Sequence, residues 1–364
     1  MILIAPTAFK GTLGAAEAAR ALEAGARRAL PRARLRVLPL SDGGPGLIDA
    51  LHAAAGGTVA FVTVAGPLGE PARGRILRVG DDAVVESADA CGLHLVPRAR
   101  RDPLAASSYG VGELIGAAAQ GPAPPRRIVL GLGGSATVDG GAGMARALGW
   151  RLLDEAGAPI PDGGAGLLRL ARLLPPEAPR ALPPVTALAD VQSPLLGELG
   201  AAAVFGPQKG ADVAGVRRLE RALTVLAERV RAQLGRDVRP LAGGGAAGGL
   251  GAGAVAFLDA RLVSGSDWVL DRLDFDAALG GAELLVTGEG SYDAQSGMGK
   301  IVGAVIARAR RRGVPVLLVA GRIETVPPPG VRGVDGGGAP LDAAALARLA
   351  AEHVPRLLSA EGSG

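Results

Sequence analysis

The strongest constraint on the fold is a change of hydrophobic period along the chain. Near its start, short apolar runs alternate with helical spacing: ILIAP (2–6), LGAAEAARALEAGARRAL (13–30), ARLRVLPL (33–40) and PGLIDALHAAAGG (45–57). This βαβα alternation predicts a parallel sheet covered by helices. Over 58–89 the pattern switches to three strand-like runs joined by tight turns, which predicts an antiparallel meander. A helix over 109–120, a strand in RRIVLGLGG (126–134) and a long amphipathic helix over 212–235 follow, while APPRRI and PPEAPRALPP mark loops. The βα rhythm returns in AELLVTGEG (282–290), KIVGAVIARARRRG (300–313) and VPVLLVAG (314–321).

Alike ends around a different middle predict an α/β chain with an insertion. The expected domains are a flavodoxin-like parallel-sheet domain of residues 1–64 and 276–364, and an inserted α/β domain of residues 65–275. A length of 364 residues suits two such cores. A cleft between two halves of this kind is a usual place for a ligand.

Composition narrows the function classes. The pI of 9.8 would suit a nucleic-acid partner, but 39 basic residues face 35 acidic ones and the formal charge is only +4. Aromatic residues make up 2% of the chain, so stacking platforms for single strands are nearly absent. No nucleic-acid partner is expected, and arginine runs such as RARRR (308–312) read as solvated faces. The single Cys91 allows no internal disulfide, and His52, His94 and His353 lie far apart, so no zinc site is expected and a reducing cytoplasm is the expected compartment. MILIAP opens as a strand without a basic leader, so no signal peptide is expected. The uncharged run at 240–258 is dominated by glycine and alanine and reads as a loop feeding a buried helix, not a membrane span. No membrane partner is expected, and the assembly is left open, a homodimer included.

Chemistry concentrates in glycine-rich loops. Among the 58 glycines, clusters at SDGGPG (41–46), GLGGSATVDGGAG (131–143), FGPQKGA (205–211) with GGGAAGGLGAG (243–253), and TGEGSYDAQSGMGK (287–300) also carry carboxylates and two of the chain's three lysines. Glycine lets backbone N–H groups approach an anion. The last stretch imitates a P-loop, but Ala294 stands at the first glycine position and Ile301 at the magnesium-binding hydroxyl. What survives is a helix start and an ammonium, Lys300, both suited to an anion. GLGGSA (131–136), with Asp154 further on, matches a dinucleotide fingerprint weakly, because Gly140 and Gly141 interrupt the helix that should follow. Asp42, Asp139, Asp190, Glu289 and Asp293 lie in or near these loops. Asp42, Asp190 and Glu289 each follow a strand-like run, and strand carboxyl ends face the ligand crevice of an open α/β sheet. Carboxylates so placed suit Mg²⁺ and proton removal from a hydroxyl. Lysine, a compact charge, suits phosphate oxygens. The residues point to phosphate chemistry on a small hydroxylated substrate.

Read together and in order, IAPTAFKGTLGAAEAA, PLSDGGPGLIDAL, SADACGLHLVP, SSYGVGELI, GLGGSATVDGGAGM, FGPQKGA, AGGGAAGGLGAGAVAFL and VTGEGSYDAQSGMGK make residues 1 to about 325 resemble the bacterial type I glycerate kinases. The resemblance implies phosphorylation of D-glycerate with ATP and Mg²⁺, commonly at the 2-hydroxyl, on a flavodoxin-like domain with a second α/β domain inserted. On these positions Asp190, Lys10 and Lys300 are the expected catalytic residues. Asp42, Ser135, Glu289 and Asp293 are expected at the substrate, and Asp42 and Glu289 at Mg²⁺. Lys209, Gly248, Gly249 and Gly251 are expected at the ATP phosphates. The chain departs from the family pattern at Thr7, Pro45, Val138, Ser193 and Ser291. Thr7 stands where an aspartate, Pro45 where a glutamate, and Ser291 where an arginine is usual. The alternatives these departures leave open are a kinase for another hydroxy acid and a non-catalytic protein that binds a small acid.

Overall fold

The computed structural model describes residues 1–9, 11–120, 123–178, 181–293 and 300–361, which form two compact units. The first comprises residues 1–42, 49–56 and 264–364. Its sheet runs Leu35–Val37, Ile2–Ile4, Leu284–Tyr292, Val316–Ile323, Val331–Asp335, with every pairing parallel. Numbered in chain order within the unit this is 2-1-3-4-5, the flavodoxin-like order. The Ala15–Ala29 and Ala343–Glu361 helices pack together on one face, where Leu22, Ala26, Leu346 and Ala350 meet Ile2, Ile4, Leu284, Val286, Leu317 and Val319. The Ile301–Arg311 helix connects two adjacent parallel strands. The right-handed crossover rule places it on the other face.

The second unit comprises residues 43–48 and 57–263. Four parallel strands, Arg261–Val263, Val185–Leu188, Arg127–Gly131 and Asp82–Glu86, continue into antiparallel Pro71–Val79 and Thr58–Ala65. The meander expected over 58–89 is therefore the antiparallel end of a mixed sheet. Both domain boundaries shift from their expected positions. Thr58–Ala65 pairs with Pro71–Val79 along its whole length, so the break falls before residue 57 instead of after 64. At the other junction the first unit resumes at Ser264. Arg308 of the Ile301–Arg311 helix bonds both Asp267 and Asp276, tying residues 264–276 to that unit. The glycine–alanine run ends in a buried helix, Ala246–Leu258, and among the described residues no helix is long and apolar enough to cross a membrane.

Gly25 shows how closely the first unit's helices approach. A Cβ placed there would lie 2.1 Å from the Ala347 carbonyl oxygen. In an open helix, Gly→Ala stabilises by about 1 kcal/mol. Here overpacking against rigid backbone, about 1–3 kcal/mol, outweighs that gain. Gly25→Ala is expected to lower the urea midpoint of unfolding; a raised midpoint would mean that the helices separate freely.

Candidate functional site

The carboxyl ends of the four parallel strands in the second unit lie at one edge of the sheet, where α/β proteins gather their ligands. Glu86 ends its strand there, buried. It accepts hydrogen bonds from the backbone N–H groups of Ile48 (2.7 Å) and Gly46 (3.0 Å), so the 43–48 loop is docked on a carboxylate. Arg75 lies 3.6 Å from Glu86 and grips Asp89 in a two-pronged bond, Nε to Oδ2 and Nη2 to Oδ1, both 2.9 Å. Burial pushes the Glu86 carboxyl up to about 7, against the pull of these two N–H donors and Arg75. Gly131 ends the adjacent strand. A Cβ there would lie 2.6 Å from the Gly43 carbonyl oxygen, so only glycine lets the two loops approach.

The next loop, 132–143, is held from within by Asp139, which is 1% exposed. Its Oδ2 accepts from the Ser108 N–H and hydroxyl, both 2.8 Å, and from the Gly143 N–H, 3.2 Å; Oδ1 accepts from the Gly141 N–H, 3.2 Å. Burial pushes this carboxyl up while the four donors pull it back. The Ser108 hydroxyl in turn accepts from the Met144 N–H. Asp139 thus caps the Ala142–Ala147 helix and fixes the start of Tyr109–Ala118 at once.

Lys209 enters the same loop from the other side. Its ammonium donates to the Thr137 carbonyl (2.7 Å) and the Ser135 hydroxyl (2.9 Å) and is 2% exposed. Burial lowers its pKa to about 8, with Cys91 and Asp139 opposing. Cys91 is buried alongside and is pushed up to about 12, chiefly by burial, so it is no nucleophile near neutral pH.

These contacts give several of the expected site residues partners inside the protein. Lys209, expected on ATP phosphates, has its ammonium inside the protein and braces the 135–137 loop. Ser135, expected on substrate, accepts that ammonium and is itself buried. Gly248, Gly249 and Gly251 pack closely against neighbouring segments. A Cβ at Gly248 would sit 1.9 Å from the Thr137 carbonyl oxygen, and at Gly251 2.5 Å from that of Gly243. Gly248 and Gly249 take left-handed angles inside a kinked Ala246–Leu258 helix, and the Gly248 carbonyl accepts from the Gly140 N–H. Their smallness serves loop-against-loop packing. Asp154 is a turn residue as well. It accepts from Ala156 and Ala158 N–H and from Arg169, and the Ala158 N–H chiefly holds its carboxyl below the usual range.

The remaining candidates stand at strand ends. Asp190 follows Val185–Leu188, an interior strand of the six-stranded sheet, and is part-buried. In the first unit, Glu289 and Ser291 lie in the last part of Leu284–Tyr292, Asp293 follows it, and Asp42 lies beyond the end of Leu35–Val37. Those two strands flank Ile2–Ile4. Lys300 is the N-cap of Ile301–Arg311. Lys10 and residues 294–299, which contain most of the P-loop-like pattern, lie outside the described residues. Thr7 ties its strand exit to Gly288, through both its N–H and its hydroxyl. Pro45 packs on Gly133 and Gly134. Among the described residues no group of three or more His, Cys, Asp or Glu could hold a metal. Asp42 and Glu289 are hard oxygen donors of the kind Mg²⁺ takes, which commonly binds one or two carboxylates and completes its shell with phosphate and water.

Glu86, Arg75, Asp89 and Ser108 escape the sequence reading. Glu86, Asp89 and Ser108 lie inside or beside SADACGLHLVP and SSYGVGELI, and Arg75 in the strand-like run before them, but nothing local says that a strand-end glutamate will receive a loop forty residues away.

Comparison with known proteins adds a family. The model of the glycerate kinase family matches residues 2–335. The chain is 46% identical over 327 residues to the glycerate kinase of Halalkalibacterium halodurans, spanning 88% of this chain and 85% of the relative. It is 42% identical over 326 residues to the glycerate 2-kinase of Escherichia coli K12, with the same shares covered. A crystal structure of a protein assigned as glycerate kinase 2 from Salmonella typhimurium LT2 superposes with a TM-score of 0.85 at 40% identity, covering 100% of this chain and 99% of that one.

Glu86 makes a pH signature. Its folded pKa stands above the unfolded value of 4.5, so its stabilising effect is complete below about 4.5 and is lost as pH rises through about 7. Unfolding free energy should fall by as much as about 3 kcal/mol across that window. Glu86→Gln should flatten this part of the pH–stability curve. An unchanged slope would show that Glu86 ionises normally.

Proposed function

The chain belongs to the glycerate kinase family, and on that premise we propose that it transfers the γ-phosphoryl group of ATP to the 2-hydroxyl of D-glycerate, in the cytoplasm. The observation that carries this reading is the placement of Asp190, Asp42 and Glu289, each at or beyond the carboxyl end of a parallel strand.

Phosphoryl transfer asks a protein mainly for positioning and charge neutralisation. The bond formed joins the glycerate 2-oxygen to the γ-phosphorus, and the bond broken is the one from that phosphorus to the β–γ bridging oxygen, which leaves on ADP. The proton on the 2-hydroxyl passes to the Asp190 carboxylate, which also orients the hydroxyl. Lys300, at the start of an eleven-residue helix, adds an ammonium to the positive end of the helix dipole and offsets negative charge on the ligands. Asp293 accepts from a substrate hydroxyl. Asp42 and Glu289 would hold Mg²⁺, which when bound neutralises charge on the phosphate oxygens. Lys209 and Asp139 touch no ligand in this scheme. They fix the 132–143 loop beside the Val185–Leu188 strand end.

Steady-state ADP release with MgATP and D-glycerate tests the reading. Asp190→Asn should cut kcat by roughly 10² or more while D-glycerate still binds. Unchanged turnover removes Asp190 from the reaction. Wild-type protein that binds D-glycerate yet releases no ADP would instead be a small-acid-binding protein.

A further inference from the structure

Ser291, where the family likeness expects an arginine, has an arginine as its partner on the neighbouring strand. The Leu284–Tyr292 and Val316–Ile323 strands are parallel and in register, and Ser291 is the partner of Arg322. Partners across a parallel pair project to the same face, and residues two apart along a strand share it. Arg322 therefore lies on the face that carries Glu289, Ser291 and Ala320, at the carboxyl end of the sheet. Its side chain is largely exposed. Among the described residues its only ion pair is a 3.8 Å contact with Glu324, both side chains exposed at 62% and 51%, the kind of pair that contributes little. Asp335, on the next strand, is engaged by backbone as well. Both Asp335 oxygens accept backbone N–H groups, from Ile323 (2.8 Å) and Gly337 (2.6 Å). Gly338 packs against the guanidinium, since a Cβ there would lie 3.2 Å from Nη2, and the Ile323 and Gly337 N–H groups, helped by the Arg322 charge, hold the Asp335 carboxyl below the usual range.

We propose that Arg322 is a substrate-binding residue of the kinase, supplying from the neighbouring strand the guanidinium that position 291 lacks, and that it takes the carboxylate of the acid substrate. The proposal rests on the glycerate kinase reading above. A guanidinium matches a carboxylate two-prongedly and stays charged at every working pH. Moving the charge one strand across changes its approach by one strand spacing, about 4.8 Å, which the long arginine side chain can span. A buried position would have made such an exchange costly in packing; both positions are exposed.

The test is an exchange of the two residues. Arg322→Ser should raise the KM for D-glycerate roughly ten- to hundred-fold, as loss of a charged hydrogen-bonding partner does, with the KM for MgATP within about two-fold of wild type. The double variant Ser291→Arg/Arg322→Ser should recover most of that loss. A residue that merely props the 335–338 turn would give no such rescue. Unfolding midpoints of both variants, expected at the wild-type value, show that the fold is kept. Unchanged D-glycerate KM in Arg322→Ser, a loss without rescue, or a rise confined to MgATP each overturns the assignment. Wild-type protein without turnover on D-glycerate overturns the kinase reading and this proposal together, whereas wild-type turnover with any of the three preceding results overturns Arg322 alone.

Discussion

A carboxylate almost sealed from water organises the second unit. Asp139 has four hydrogen-bond donors aimed at it, three of them backbone N–H groups from two separate segments. Glycine-rich loops are costly to order because each glycine loses more backbone freedom than any other residue. A buried acceptor offsets that cost by satisfying N–H groups that no helix or strand would pair. Glu86 repeats the device with the 43–48 loop, and Lys209 supplies its cationic counterpart under residues 135–137. Removing one partner of such a contact strands a buried charge or donor, so the loops hold as a set.

This arrangement separates two jobs that look alike in a sequence. Asp139, Lys209, Gly248, Gly249 and Gly251 carry the residue types of a phosphate site and build the loops' interior. Asp190, Asp42, Glu289 and Lys300 are less buried and stand at strand ends or a helix start. Burial separates the two groups: Asp139, Lys209 and the three glycines lie inside the loops, while the strand-end residues are part-exposed.

The βα period made the first unit's sheet legible, because alternating apolar runs and helical spacing admit few layer arrangements and the crossover rule limits them further. The domain boundaries were less so. Thr58–Ala65 looks like a continuation of the first βα series, and only its pairing with Pro71–Val79 reveals its unit. In the site, strand-end carboxylates could be read from local pattern, since position after an apolar run is a local property. The burial of Lys209 could not, because a lone lysine in FGPQKGA has the same local sequence whether its ammonium meets phosphate or Thr137. The pairing of Ser291 with Arg322 depends on sheet register, which the thirty intervening residues conceal.

All of these assignments serve one claim, that the chain moves a phosphoryl group from ATP to a carbon-2 hydroxyl of D-glycerate. Proton–phosphorus correlation NMR on the products of MgATP and D-glycerate tests it most directly. The account predicts ADP and a phosphomonoester whose phosphorus couples to the proton on glycerate carbon 2. ATP left intact, inorganic phosphate as the only product, or a phosphorus coupled to the carbon-3 protons would contradict it.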